Sequence, residues 1–314
     1  MVWTSVFTLL ITGMVLIVAF IYLVGGYFVD LGLRRGSADD PLAPPAVFRS
    51  AFEGNGSALS PAARPDFASE DWQLVSFDGL NLRATHFSPA KRCHQWVILV
   101  HGYGCNQQYG WDYAAEYLRH GYEVLTPDLR ASGESEGRYL TMGALESHDL
   151  EDWTRKIAAA DPEARIVLHG VSMGAAAVML TTARSLPPNV VAAVEDCGYT
   201  DTRTMFEIEL QKLFGLPGFP VLDCADIMCR PRAGFRFSDV EPLRAVRQTQ
   251  VPMLFIHGDA DKLVPYEMMK QLYQASAAPV KEVFTAKGAA HAAACQDKAY
   301  YPTVFAFADR FTKE

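Results

Sequence analysis

The chain has 314 residues, of which 50% are hydrophobic, and its formal net charge is −8. This length allows one large hydrophobic core, and the acidic balance, with no basic stripe, argues against nucleic acid as a partner. The six cysteines occur singly, which is typical of reduced thiols rather than of a disulfide framework, although Cys224 and Cys229 are close enough in sequence to pair.

An uncharged apolar segment, residues 2–29, opens the chain. It exceeds the roughly 20 residues that span a bilayer, so it predicts a transmembrane helix. A signal peptide fits less well because no Lys or Arg precedes the apolar run, and a buried core helix would show a polar face. Arg34 and Arg35 follow, which favours a single-pass anchor in the cell membrane with the remaining chain on the cytoplasmic side.

Residues 36–70 are rich in proline, glycine and serine. This composition predicts a tether between the anchor, residues 1–35, and a folded domain, residues 71–314. The folded domain begins with a hairpin signal, because residues 71–77 and 81–87 alternate apolar and polar side chains around Asp78 and Gly79. A chain that starts near Gly36 should therefore contain the whole folded domain.

Short apolar runs alternate with helix-like segments through the rest of the domain, and they predict six further strands at residues 95–100, 122–126, 165–169, 190–195, 252–257 and 282–285. Strands in alternation with helices indicate an α/β fold, here a mostly parallel eight-stranded sheet with helices on both faces. The alternation breaks at residues 199–249, where an insertion rich in proline, glycine and aromatic residues predicts a short helical cap.

The segment Gly170-Val171-Ser172-Met173-Gly174 follows a predicted strand and precedes a small-residue helix. It matches the Gly-x-Ser-x-Gly turn that exposes a nucleophilic serine above a sheet. Residues two before and two after the serine come into close contact in such a turn, so glycine is needed there. Ser172 is therefore the candidate nucleophile.

A serine hydroxyl needs a base to take its proton, and the base needs an acid to orient it. Asp259 and Asp261 follow the predicted strand 252–257, and His291 follows the last strand. All three should lie at the edge where the carboxyl ends of parallel strands meet. His291 is the candidate base and Asp261 the preferred acid, with Asp259 as its rival and Glu195 as a more remote alternative.

Taken together, the motifs resemble the α/β-hydrolases of the large bacterial group related to serine aminopeptidases, monoacylglycerol lipases and membrane-anchored ABHD-type hydrolases. The matching pieces, in order, are His101-Gly102-Tyr103-Gly104, Asp128-Leu129-Arg130 with Ser132-Gly133-x-Ser135-x-Gly137, the Ser172 turn, His257-Gly258-x-x-Asp261 with Val264-Pro265, and Gly288-x-x-His291. One departure is Arg130-Ala131-Ser132-Gly133, where Arg-Gly-His-Gly is commoner. It lies in a structural loop and bears on the subfamily more than on catalysis.

The resemblance implies an α/β-hydrolase fold, with Ser172 as nucleophile, His291 as general base and Asp261 as orienting acid. The backbone N–H groups of Met173, directly after the nucleophile, and of Tyr103 are expected to form the oxyanion hole. The Tyr103 side chain would either line the acyl pocket or close the edge of the core. No cofactor and no metal is expected, because the sequence holds no phosphate-binding loop, metal cluster or dinucleotide motif.

Cleavage of a carboxylic ester through an acyl-enzyme on Ser172 is the leading hypothesis. An amidase, aminopeptidase or thioesterase would use the same three residues, and a binding protein on the same fold is the non-enzymatic alternative. The partner is thus a small-molecule ester or amide, and lipid-derived esters are among the candidates. The apolar residues of the predicted cap have two interpretations. They bind an apolar acyl or aryl group of the substrate, or they pack the cap onto the folded domain.

Overall fold

The computed structural model describes residues 2–36 and 60–313, and this part of the chain is built around one eight-stranded sheet. The predicted tether therefore lies mostly outside the described residues. In spatial order the strands run β1-β2-β4-β3-β5-β6-β7-β8. In chain order they are β1 Ala68–Val75, β2 Asn81–Ser88, β3 Gln95–Val100, β4 Glu123–Pro127, β5 Arg165–Val171, β6 Val190–Asp196, β7 Met253–Gly258 and β8 Lys281–Ala286.

The sheet is mostly parallel, as predicted. β2 pairs antiparallel with β1 and with β4, and every other pairing is parallel. β1 begins at Ala68, three residues before the predicted start of the folded domain, because its first residues pair with the far end of β2 at Ser88. A hairpin signal read from alternation alone misses such a start, since the residues at this end of β1 are exposed on both faces.

Helices cover both faces of the sheet. The apolar run of β3 explains why, since Trp96, Ile98 and Val100 face one hydrophobic cluster and Val97 and Leu99 face the other. The helices of the folded domain are α3 Trp111–Arg119, α4 Glu146–Ala160, α5 Met173–Thr182, α6 Thr202–Phe214, α7 Val221–Ala233, α8 Pro242–Ala245, α9 Tyr266–Ala275 and α10 Tyr300–Thr312.

Two helices, α6 and α7, are inserted between β6 and β7, in the segment predicted to form a cap. Asp201 begins α6 as its N-cap, accepting a hydrogen bond from the Thr204 N–H at 2.8 Å. Gly215 ends α6 in the left-handed region, with φ 64°. Cys224 and Cys229 both lie on α7, and all six cysteines are free thiols, so the pair that the sequence left open does not form a disulfide.

The N-terminal helix consists of α1 (Val2–Phe20), one π-helical turn (Ile21–Gly25) and α2 (Gly26–Leu33). Its stretch Trp3–Leu33 is long and apolar enough to cross a membrane, and the most apolar part of it is not buried against the protein. Its far end, however, joins the core of the folded domain, where Val29 and Leu33 are each only 1% exposed.

Close packing of backbones holds this end of the N-terminal helix against α7. A Cβ atom at Gly25 would lie 2.2 Å from the Cys224 carbonyl oxygen, so only glycine fits there. After the helix, the Leu33 carbonyl accepts a hydrogen bond from the Leu140 N–H, and the Arg35 N–H donates to the Arg138 carbonyl, both at 2.8 Å. The N-terminal helix thus contacts the folded domain directly, in addition to the covalent connection through residues 37–59.

Candidate active site

The candidate nucleophile Ser172 sits in a strained turn between β5 and α5. Its φ of 59° and ψ of −119° lie outside the regions that side chains favour. The neighbouring glycines make the turn possible, because a Cβ at Gly170 would lie 2.2 Å from the Gly174 carbonyl oxygen and one at Gly174 would lie 2.1 Å from that of Val100. The Ser172 N–H donates to the Asp196 carbonyl at 2.8 Å and fixes the turn against β6.

Three of the predicted site residues form one hydrogen-bonded chain. Ser172 Oγ is 2.9 Å from His291 Nε2, and His291 Nδ1 is 2.7 Å from Asp261 Oδ2. The three residues come from turns that follow β5, β7 and β8, at the carboxyl edge of the sheet. All three are buried, and Ser172 is only 4% exposed.

The Asp261 carboxylate is surrounded by donors. Oδ1 accepts hydrogen bonds from the N–H groups of Leu263 at 2.8 Å and Val264 at 3.0 Å. Oδ2 lies near both His291 and the His257 Nε2, the latter at 3.1 Å. Burial alone would raise the pKa of Asp261, but the hydrogen bonds from His257 and His291 lower it below its ordinary value. Asp261 is therefore a carboxylate at neutral pH.

His257 is a site residue that the sequence interpretation missed. It is the second-last residue of β7, and its Nε2 lies within hydrogen-bond distance of both Asp261 and the Val264 carbonyl, which is 3.0 Å away. Burial disfavours its charged form, but the hydrogen bond with Asp261 prevails and raises the pKa of His257. The signal was present in the four-residue spacing of His257 and Asp261 within His-Gly-x-x-Asp.

The two alternative acids lie elsewhere. Asp259 is exposed and accepts a hydrogen bond from the Gly288 N–H at 2.5 Å, which ties together the loops after β7 and β8. Glu195 is buried beneath the site and accepts from the Gly198 N–H at 3.0 Å. Burial raises the pKa of Glu195 to about 8. The acid that the structure places against His291 is thus Asp261.

The two candidate oxyanion donors lie on either side of the nucleophile. Met173 is the first residue of α5, where the helix dipole favours negative charge. Tyr103 follows Gly102, at which a Cβ would lie 3.3 Å from the Ser172 Cβ, so this loop passes beside the nucleophile. The Tyr103 side chain turns toward the N-terminal helix and donates a hydrogen bond to the Gly32 carbonyl at 2.6 Å.

Comparison with known proteins is consistent with this geometry. Residues 97–299 match the sequence model of the alpha/beta hydrolase family. The chain belongs to the alpha/beta hydrolase family. It is 27% identical over 220 residues to the uncharacterised protein YqkD of Bacillus subtilis, which covers 70% of this chain and 72% of that protein. A shorter match, 31% over 131 residues, covers 38% of this chain and 42% of the quorum-quenching protein AidA of Acinetobacter baumannii.

Solved structures share the fold of this hydrolase. An esterase of Pyrococcus furiosus superposes with a TM-score of 0.65 and 21% identity, over 82% of this chain and 100% of the esterase. An acylaminoacyl peptidase of Pyrococcus horikoshii superposes with a TM-score of 0.60 and 17% identity, over 79% of this chain and 42% of the peptidase. The family and fold predicted from the sequence are confirmed, and a hydrolase activity is consistent with both.

The Arg130 loop of this hydrolase, where the sequence departs from the commoner motif, is structural. Arg130 is buried and forms a bidentate ion pair with Asp149, with both N···O distances at 2.7 Å. Asp128 accepts from the N–H groups of Gln107 at 2.8 Å and Glu134 at 2.9 Å. These bonds hold the loops after β3 and β4 in place beside the site.

One cluster in the described residues has the composition of a metal site. Potential ligand atoms of Cys197, Asp261 and His291 all lie within 4.8 Å of one another. Two of these residues already bond each other in the Ser172 chain, so a metal would compete for the same atoms. Burial also raises the pKa of the Cys197 thiol, which keeps it protonated and a poor ligand. The geometry of this cluster therefore fits the hydrogen-bonded chain from Ser172 through His291 to Asp261 better than a metal site.

Proposed function

We propose that this protein is a serine hydrolase that cleaves carboxylic esters through an acyl-enzyme on Ser172. The observation that carries the proposal is the pair of contacts made by His291, to Ser172 Oγ at 2.9 Å and to Asp261 Oδ2 at 2.7 Å. One imidazole that contacts a strained serine and a carboxylate is the arrangement that activates a serine hydroxyl.

Acylation begins when neutral His291 accepts the Ser172 proton through Nε2 while Oγ attacks the ester carbonyl carbon. Asp261 holds the ring by accepting from Nδ1–H and stabilises the imidazolium that forms. In this proposal the backbone N–H groups of Tyr103 and Met173 bind the tetrahedral oxyanion. His291 then protonates the departing alcohol, and it later deprotonates the water that hydrolyses the acyl-enzyme.

The ester is the first candidate because a cavity between the N-terminal helix, α6 and α7, described below, has an almost wholly apolar lining that suits the acyl chain of a lipid ester. Amide and thioester cleavage would use the same residues. The acylaminoacyl peptidase among the fold neighbours keeps the amide as the alternative.

We also propose that the N-terminal helix is a single-pass membrane anchor. Its exposed part, residues 3–20, spans about 27 Å at the rise of an α-helix, close to the ~30 Å hydrocarbon thickness of a bilayer. Arg34 and Arg35 lie at the folded-domain end of the helix, which supports a cytoplasmic placement of that domain.

The test is covalent labelling of the full-length protein in detergent with a fluorophosphonate, followed by turnover of p-nitrophenyl esters and aminoacyl anilides. The wild type should be labelled and should cleave the esters faster than the anilides. Ser172→Ala should lose both labelling and turnover while retaining its melting temperature. Labelling that persists in Ser172→Ala would refute the assigned nucleophile, and faster cleavage of anilides would move the amide to first place.

A further inference from the structure

An apolar cavity lies between the end of the N-terminal helix and the two cap helices. The N-terminal helix contributes Phe28, Leu31 and Leu33 to its wall, α6 contributes Leu213, and α7 contributes Leu222 and Ala225. One wall of this cavity is therefore made by the same helix that is proposed to cross the membrane. A cavity with that wall is suited to a ligand that itself resides in the membrane.

One wall of the cavity is hydrogen-bonded to the loop beside the candidate nucleophile. Gly32 lines the cavity, and its carbonyl oxygen accepts the hydrogen bond from the Tyr103 hydroxyl. Tyr103 in turn follows Gly102, which passes beside Ser172. A single hydrogen bond thus connects the wall of the cavity to the loop proposed to bind the oxyanion.

Glu209 on α6 also lines the cavity. Among the described residues that line the cavity it is the one charged side chain, and it is only 5% exposed. Neither carboxyl oxygen has a hydrogen-bond partner within the described part of the chain, and the nearest ion-pair partner is the Lys212 Nζ at 3.9 Å. Burial raises the pKa of Glu209, and the nearby Lys212 side chain opposes this rise. A buried carboxyl group in this state needs a polar partner.

The outer end of the cavity carries exposed apolar and aromatic side chains. Phe214 ends α6 and packs edge-on against Phe28 of the N-terminal helix, with ring centroids 5.7 Å apart. Leu216 and Phe219 follow α6 in sequence, Tyr22 and Tyr27 precede Phe28, and all four are exposed, Phe219 by 77%. Aromatic residues at the end of a membrane-crossing helix are typical of the membrane interface. The cavity-lining residues 28–33 begin eight residues beyond Phe20, about 12 Å along the helix, so the cavity lies on the folded-domain side of the proposed bilayer.

We propose that this cavity binds the acyl chain and that the substrate is a lipid ester, which enters from the bilayer between the N-terminal helix and the cap. The inference rests on the proposed function. The acyl chain lies against Phe28, Leu31 and Leu33, the ester carbonyl reaches Ser172, and the Glu209 carboxyl group binds a polar group of the lipid.

The first test measures kcat/KM of the full-length protein in detergent for p-nitrophenyl esters with acyl chains of two to sixteen carbons. Ala225→Leu places three additional carbons in the cavity. The ratio of long-chain to short-chain kcat/KM should fall about ten-fold, as expected when the pocket loses room for one or two methylene groups. Ile227→Phe, on the exposed side of α7, is the matched control and should leave the ratio at the wild-type value.

The outcomes separate the two proposals. If the wild type cleaves esters but Ala225→Leu retains its ratio, the acyl pocket is elsewhere and the serine hydrolase stands. If the wild type cleaves no ester of any length and Ser172 is not labelled, the proposed function fails and the pocket fails with it.

A second measurement does not depend on the folding of any variant. A fluorophosphonate with a sixteen-carbon chain and a diazirine at its end would be attached to Ser172 of the wild type in phosphatidylcholine vesicles and then photolysed. Cross-links should map to residues 28–33 and to α6 or α7. Cross-links confined to other parts of the chain would overturn the pocket.

Entry from the bilayer is tested at the rim. The double variant Leu216→Ser/Phe219→Ser should lower the rate on a long-chain ester in vesicles at least five-fold relative to the rate on the same ester in detergent. The control Val75→Ser/Val283→Ser removes exposed apolar side chains from β1 and β8 and should leave that ratio unchanged. Equal ratios in the two double variants would exclude entry at this rim.

Discussion

His257 and His291 share one oxygen of Asp261. The His257 Nε2 lies 3.1 Å from Asp261 Oδ2, and the His291 Nδ1 lies 2.7 Å from the same atom. All three side chains are inaccessible to water. His257 contacts the carboxylate oxygen that also orients His291. His257 is therefore a positioning residue for the proposed reaction.

Replacing His257 should lower turnover without weakening substrate binding. His257→Phe keeps the ring volume but removes the donor to Asp261, and we expect kcat to fall about ten-fold with little change in KM, because one hydrogen bond to a charged group is lost. His257→Gln retains a donor at the end of its side chain and should recover much of the loss. An unchanged kcat in His257→Phe, with the fold verified by its melting temperature, would contradict the role.

The choice of acid is tested by two matched substitutions. Asp261→Asn should lower kcat by a factor on the order of 10³–10⁴, because an amide cannot hold His291 in the tautomer that accepts the serine proton. Asp259→Asn should lower it less than about three-fold, since Asp259 bonds the Gly288 N–H at the surface. Steady-state kinetics on one short-chain ester decides between them, and the reverse ranking would make Asp259 the orienting acid.

Glu195 should make the protein less stable as the pH rises. Its pKa is raised from 4.5 to about 8 by burial, so between these two values the folded protein binds more protons than the unfolded chain. Stability is therefore lost as the pH rises through that range. Glu195→Gln removes this titration and should increase the free energy of unfolding at pH 9 by on the order of 1–4 kcal/mol relative to the wild type.

Denaturant unfolding at pH 5 and pH 9 checks the Glu195 prediction. The difference between Glu195→Gln and the wild type should be larger at pH 9 than at pH 5, because near pH 5 the wild-type side chain is protonated in the folded state. An equal difference at both pH values would show that the effect comes from packing and not from ionisation.

The contact between the N-terminal helix and the cap should be sensitive to one methyl group. Gly25→Ala places a Cβ 2.2 Å from the Cys224 carbonyl oxygen, so the helix must move away from α7. We expect a lower melting temperature in detergent and faster proteolysis of the cap. Gly13→Ala is the control, because nothing lies within 4 Å of the added Cβ. Equal behaviour of the two variants would show that the helix does not depend on this contact.

The contact between the N-terminal helix and the folded domain changes the expected behaviour of a truncated chain. A chain starting near Gly36 was expected to contain the whole folded domain, but it would lack Val29 and Leu33 from the core and the Gly32 carbonyl that binds Tyr103. A chain starting near Ile21 keeps these residues. The second truncation should therefore melt closer to the full-length protein than the first.

Local patterns account for what could be predicted. The alternation of apolar runs with helical segments indicated the α/β sheet, and the glycine spacing around Ser172 indicated the strained turn, because each depends on residues that are neighbours in sequence. The order of Ser172, Asp261 and His291 along the chain follows from the order of the strands. For these features the amino-acid sequence was sufficient.

Tertiary packing alone decided the rest. The sequence placed Asp259 and Asp261 in one loop, but only the fold of that loop turns Asp261 toward His291 and brings His257 to the same carboxylate. The contact of Tyr103 with Gly32 joins residues 71 positions apart, and no local pattern encodes it. It arises because Gly25 lets the N-terminal helix approach α7 closely. Such contacts depend on which surfaces fit together after the sheet has formed, and a sequence read in short windows does not contain that information.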